Sequence, residues 1–153
     1  VPALFGLIRE LADYERLLDA FVGDERQLEA GLFDSGAADA LIAEVDSDPV
    51  GHAIFFTTFS SFLCQPGLWI EDIYVRPQHR RSGIGRAMLA RIARMAVQGG
   101  CGRLEWAVLD WNEPARRFYA TLGAELMDQW QILRMEGDSL NRLAQMPSTD
   151  SFR

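Results

Sequence analysis

The chain has 153 residues, 48% of them hydrophobic and 24% charged, with a formal net charge of -7, two cysteines and two histidines. That length suits one domain burying roughly 70% of its unfolded surface, and no stretch approaches the ~20 apolar residues of a membrane span. All fifteen cations are Arg, so Schiff-base lysine chemistry and a Walker phosphate loop are excluded, while the acidic balance argues against nucleic acid and for a cationic ligand. Cys64 and Cys101 cannot build a disulfide framework, and with His52 and His79 they show no metal-ligand spacing, so no metal is expected. The first residues lack a basic segment followed by an apolar block, and the expectation is a cytoplasmic protein without membrane association.

In chain order, Pro2 to Ala20 places Leu4, Leu7, Ile8, Leu11, Tyr14, Leu17 and Leu18 at three- and four-residue steps, the pattern of an amphipathic helix. Asp24 can cap a second helix through about Leu32. The period then changes: Ala40 to Val45 and Val50 to Phe59 read as strands joined by the turn formers Asp46 to Pro49, an antiparallel hairpin. Leu68 to Val75 is a third strand closed by Pro77, and Ile84 to Val97 is an amphipathic helix ended by Gly99 and Gly100. Leu104 to Val108 reads as a strand. Asn112 can cap a helix with Pro114 in its first turn, stopped by Gly123. Ala124 to Met127 and Trp130 to Met135 read as final short strands, and residues 147–153 as a frayed tail. This order predicts a single α/β domain over residues 1–146 with a mixed, mostly antiparallel sheet and one parallel strand-helix-strand unit.

The charge is uneven. Six arginines lie between Arg76 and Arg94 with no acidic residue among them, either a solvated helix face or a local anion site. Gly83 and Gly85 stand between a strand and a helix, where glycine permits positive φ and close approach of a ligand to helix-start N–H groups. A dinucleotide fingerprint would place a third glycine at position 88, which is Met88.

The run Arg80-x-x-Gly83-x-Gly85 after a strand resembles the acetyl-CoA pyrophosphate loop of the GNAT superfamily of N-acetyltransferases. Ile70 to Val75 resembles the strand before that loop, and Trp111-Asn112-Glu113-Pro114 with Arg117-Phe118-Tyr119 and Leu122-Gly123-Ala124 resembles the later motif beside the thiol end of the cofactor. The combination, with Leu7 to Glu15, is most similar to the spermidine/spermine and thialysine branch, and spans roughly Pro2 to Met135. The family pattern opens with a strand before the first helix. Here the first residues read as helix, so that strand is expected to be absent or truncated. Asp128 stands where the branch places a Glu, and Gln131 where it places a basic residue.

The resemblance implies the acyl-CoA N-acyltransferase fold, helices on both sheet faces, acetyl-CoA as cosubstrate, a small cationic amine as acceptor, and a homodimer. It implies that Ile73, Tyr74 and Val75 offer backbone groups to the pantetheine arm, and that Arg80, Arg81, Ser82, Gly83, Ile84, Gly85 and Arg86 surround the pyrophosphate. Asn112 would bond the pantetheine region and Tyr119 would be the general acid; a phenol of pKa about 10 can protonate a departing thiolate. An alkylammonium must also lose a proton before it attacks, and Glu71 is favoured as base or amine-positioning residue, with Asp72 second. Adjacent strand residues face opposite sides, so only one acid would reach the site unless a bulge redirects the other. Tyr14, Glu15, Asp128 and Trp130 fall where the branch lines its amine pocket. The rival readings are another acceptor (an amino acid, an aminoglycoside or a protein amino terminus) and a non-catalytic CoA-binding regulatory module.

Overall fold

The computed structural model describes residues 1–147; the expected tail beyond Pro147 lies outside the described residues. The chain forms two compact units, residues 1–109 and the remainder from Asp110.

In the first unit, α1 (Pro2–Tyr14) begins with Pro in its first turn and buries Leu4, Leu7 and Leu11, one stripe at three- and four-residue steps. Burying three leucines contributes up to about 1.5–3 kcal/mol each. The helix is shorter than its periodicity suggests. Arg16 adopts φ 61°, and Leu17 and Leu18 are exposed beside a 3-10 turn at Leu18–Ala20. The next helix, α2 (Glu25–Glu29), has a full capping box: Gln27 N–H donates to Asp24 Oδ1 at 2.8 Å, and Asp24 N–H donates to Gln27 Oε1 at 2.9 Å. A π-helical turn, Ala30–Asp34, continues it.

Four strands follow in the spatial order of the chain: β1 (Asp39–Val45), β2 (Asp48–Ser60), β3 (Gln65–Val75) and β4 (Leu104–Trp106). β1 and β2 are joined by Asp46 and Ser47, both at positive φ, the backbone of a two-residue hairpin turn. β2 and β3 pair antiparallel, and β3 pairs parallel with β4 after the crossover through α3 (Ile84–Gln98). The sheet is thus mixed, as expected. Val50 to Phe55 of β2 are all buried without alternation, which requires cover on both faces. Leu7 and Leu11 of α1 cluster with Tyr74 on one face. On the other lie Phe55 and Ile70, and α3 brings Met88, Leu89, Ile92 and Ala96 to the sheet.

The ladder between β2 and β3 is irregular at one point. Ile54 pairs with Asp72, but Phe55 pairs with Ile70, so Glu71 is an extra residue in β3. β4 pairs only with Leu68 to Ile70; from Glu71 to Val75 the same edge of β3 has no strand partner among the described residues.

The second unit contains α4 (Glu113–Ala120) and α5 (Gly137–Ala144). Here the structure corrects the expectation. No strand forms at Ala124 to Met127 or Trp130 to Met135, whose alternation of apolar residues suggested two; Leu126, Met127, Trp130, Ile132 and Leu133 are exposed instead. β4 also ends at Trp106, two residues before Val108.

Candidate active site

The loop after β3 ends in the expected glycine geometry. Gly83 is the N-cap of α3 at φ 90°, ψ -6°, with no side chain to cap the helix and no acidic residue in the first turn. A Cβ at Gly83 would meet nothing within 4 Å, so the glycine is required by its backbone conformation while space lies open before it. Ser82 Oγ donates to the His79 carbonyl at 2.6 Å, and Arg81 is also left-handed at φ 65°, so the loop is fixed by its own turns. The first N–H groups of a helix have no intrahelical acceptor, and here Ile84, Gly85 and Arg86 supply them at the positive end of a 15-residue dipole.

The extra residue in β3 answers the question of the two acids. His52 pairs with Tyr74, Ile54 with Asp72, and Phe56 with Trp69, so these six side chains share the face covered by α1. Trp69 Nε1–H donates to Glu71 Oε2 at 3.0 Å, which holds Glu71 on that face as well. Without the bulge Glu71 and Asp72 would point to opposite sides; with it both acids serve one side. Glu71 is exposed and Asp72 half-buried.

Glu15, just beyond α1, joins this acidic group. Burial, and then the charge of Asp72, raises its carboxyl above the usual range. Tyr14, next to it, packs against the Leu7–Leu11–Tyr74 cluster. Arg80, expected at the pyrophosphate, here lies over the Tyr14 ring with its guanidinium carbon 4.4 Å from the centroid, and its Nε–H donates to the Val75 carbonyl at 2.9 Å. Ile73 and Val75 lie on the unpaired half of β3 with the buried Tyr74. Burial first, and then the charge of Glu10, pushes the Tyr74 phenol up, so it stays protonated at neutral pH. Arg76 clamps Glu10 with Nε–H bonds of 3.1 and 3.0 Å and an Nη2–H bond of 2.8 Å, and reaches Asp48 at 3.4 Å. That fork ties α1 to the end of β3.

In the second unit, Asn112 is buried at the N-cap of α4, its Oδ1 accepting from Ala115 N–H at 3.4 Å. Tyr119 is half-buried, one ring from Phe118 at a centroid distance of 5.5 Å. Asp128 and Trp130 are exposed. Thus Tyr14, Glu15, Glu71, Asp72, Tyr74 and Arg80 gather in the first unit, while Asn112 and Tyr119 stand at the start and in the last turn of one helix, α4, in the second.

The model of the Acetyltransferase (GNAT) family matches residues 7–124, a span that includes the irregular β3, the glycine-capped α3 and α4. The chain belongs to this family. It is an acetyltransferase, and it stands close to the polyamine and thialysine branch. Thialysine N-epsilon-acetyltransferase of Bos taurus is 36% identical over 150 residues, covering 90% of this chain and 88% of that protein. L-ornithine N5-acetyltransferase of Arabidopsis thaliana is 30% identical over 189 residues, covering 94% and 83%. An integron cassette protein from the mobile metagenome of V. cholerae has the same fold, with a TM-score of 0.77 at 26% identity over 94% of this chain and 90% of that one.

Three features of this acetyltransferase are not visible in the sequence pattern. Trp69 looks like one more apolar residue of a strand, yet its indole orients Glu71. Glu10 and Arg76 are 66 positions apart, and nothing in their local context pairs them. His52 stands in an apolar run without metal spacing, and its depth becomes visible only when β1 and β3 are laid against β2.

Proposed function

We propose that this acetyltransferase moves the acetyl group of acetyl-CoA to a primary amine of a small cationic substrate, a polyamine or a thialysine-, lysine- or ornithine-like amino acid, by direct attack in a ternary complex. The observation that carries the reading is the gathering of Glu15, Glu71 and Asp72 on one sheet face, on the strand that leads into the Gly83 helix start. Carboxylates attract ammonium, and a bare helix start attracts phosphate. The site therefore offers opposite charge preferences to the two substrates.

In this reading the unpaired edge at Ile73, Tyr74 and Val75 bonds the pantetheine arm, and Ser82, Gly83, Ile84, Gly85 and Arg86 hold the pyrophosphate with main-chain N–H groups. Arg80 and Arg81 add charge there, Arg80 after leaving the Tyr14 ring. Asn112 bonds the pantetheine region. Glu71 and Asp72 receive the ammonium and take its proton, while Tyr14, Glu15, Asp128 and Trp130 line the amine pocket. Tyr119 protonates the leaving thiolate. The relatives that act on thialysine and ornithine support this acceptor class. The exposed apolar side chains from Leu126 to Leu133 support a homodimer, and a cytoplasmic location belongs to the same reading; among the described residues no helix is long and apolar enough to cross a membrane.

The test is a thiol-release assay on acetyl-CoA with spermidine, spermine, thialysine, ornithine, lysine, an aminoglycoside, a peptide amino terminus and a neutral amine. Turnover concentrated on the small cations is the expected result. Turnover only with the neutral amine would overturn the acidic pocket, and CoA binding without turnover on any amine would point to a regulatory module.

A further inference from the structure

His52 is the anomaly of the sheet. It is wholly buried, yet neither ring nitrogen has a hydrogen-bond partner among the described residues. A buried imidazole without partners forfeits the hydration of two polar atoms. Its nearest charged neighbour is Asp72, whose Oδ2 lies 3.9 Å from Nε2. That is too long for a hydrogen bond, and a movement of about 1 Å would make one. The Asp72 side chain is 25% exposed, so it connects the buried ring to the open site.

We propose that His52 is a positioning residue behind Asp72, a buried acceptor for the proton that the bound ammonium gives up. This rests on the acceptor class just proposed. The ammonium N–H bond breaks toward Asp72 Oδ2, giving a neutral amine and a carboxylic acid. The acid passes its proton to His52 Nε2, which restores the carboxylate beside a new imidazolium. The freed lone pair of the amine attacks the acetyl carbon as the C–S bond breaks, the thiolate takes a proton from Tyr119, and the second proton that the nitrogen sheds in becoming an amide restores the Tyr119 phenol. His52 later returns its own proton to solvent through Asp72.

The surroundings suit a ring that receives a proton from Asp72 and holds it briefly. Facing it are Asp72 and Tyr74 from β3, the latter with ring centroids 6.1 Å apart, while Tyr14 and Glu10 of α1, and Glu15 beyond it, occupy the same side. β1 contributes only the apolar Ile42 opposite His52. Arg76 and Arg80 stand on this side with partners of their own, Arg76 with Glu10 and Asp48, Arg80 with the Val75 carbonyl, the Tyr14 ring and, at 5.8 Å, the Tyr74 ring. An imidazolium would sit beside the Asp72 carboxylate, and a buried charge is tolerated when it is paired.

The chain has only two histidines, so imidazole titration by NMR can follow His52 with His79 as internal reference. Asp72→Asn should move the His52 midpoint to lower pH and leave His79 in place. In His52→Phe, kcat with a reactive cationic amine should fall about 100-fold, with the amine KM unchanged and the acid limb of the kcat profile moved to lower pH. His52→Gln can still hydrogen-bond Asp72 but carries no proton, and should not recover the rate. Recovery by Gln would overturn the relay in favour of a packing role. A His52 midpoint unmoved by Asp72→Asn would also overturn it, whatever the wild type acetylates and whether or not the Phe variant folds. Failure of every cationic amine with the wild type, by contrast, strikes the acceptor class itself.

Discussion

Replacing Gly83 by Ala separates conformation from room in the loop before α3. Because an added Cβ would meet no atom within 4 Å, the change creates no clash. Its cost is that of holding an L side chain at φ 90°, about 1–2 kcal/mol. The reduced entropy of the unfolded chain returns part of this, about 0.4–1 kcal/mol. A net loss of about 1 kcal/mol lowers Tm by about 2–4 °C in a chain of this size, which differential scanning calorimetry resolves. Gly83→Asn should recover part of that loss, since Asn tolerates left-handed backbone. Both side chains nevertheless project into the space before the N–H groups of Ile84 to Arg86, so CoA affinity by titration calorimetry should fall in both variants. The Asn variant would then be nearly as stable as the wild type and still a poor CoA binder. An Ala variant with wild-type Tm and wild-type CoA affinity would refute the reasoning.

Tyr119→Phe should lower kcat by about 10²-fold or more, while CoA affinity and Tm stay close to wild type; an unchanged kcat in a folded variant removes Tyr119 from the mechanism. Glu15 predicts a pH dependence of stability. Its carboxyl is raised in the folded state, so the folded chain binds more protons than the unfolded one from the ordinary glutamate value of 4.5 up to the folded midpoint. Stability therefore falls as pH rises through that window. Glu15→Gln should flatten this part of a urea-unfolding series and be the more stable protein at neutral pH; a Gln variant that loses stability at pH 7 would show that the carboxylate is held by a favourable partner.

Much of the fold is legible in the sequence because local chemistry and global structure agree. α3 carries its apolar stripe from Met88 to Ala96 between Gly83 and Gly99, and Asp46-Ser47 marks the hairpin. The errors arise where one signal speaks alone. Leu17 and Leu18 continue the α1 period, but Arg16 breaks the helix and leaves them exposed. The alternation from Ala124 to Met135 suggests strands that have no partner among the described residues, and periodicity cannot say whether a neighbour exists. α5 is hidden behind Gly137, although Asp138 in its first turn, Arg142 in its last, and Leu140 and Leu143 on one side are a readable helix signature. In the site, residue types are legible and facing is not. The alternation rule frames the Glu71–Asp72 problem, and only the register of β2 against β3 resolves it.

That register also shows which residue the sheet could do without. Ile70 and Asp72 already lie on opposite faces, opposite Phe55 and Ile54, so a chain lacking Glu71 would close the ladder as a regular strand with every other partner kept. A one-codon deletion at this position would spare the scaffold and remove an acid and a bend together. The scaffold thus carries a spare residue at the point where the proposed amine site gains its second acid.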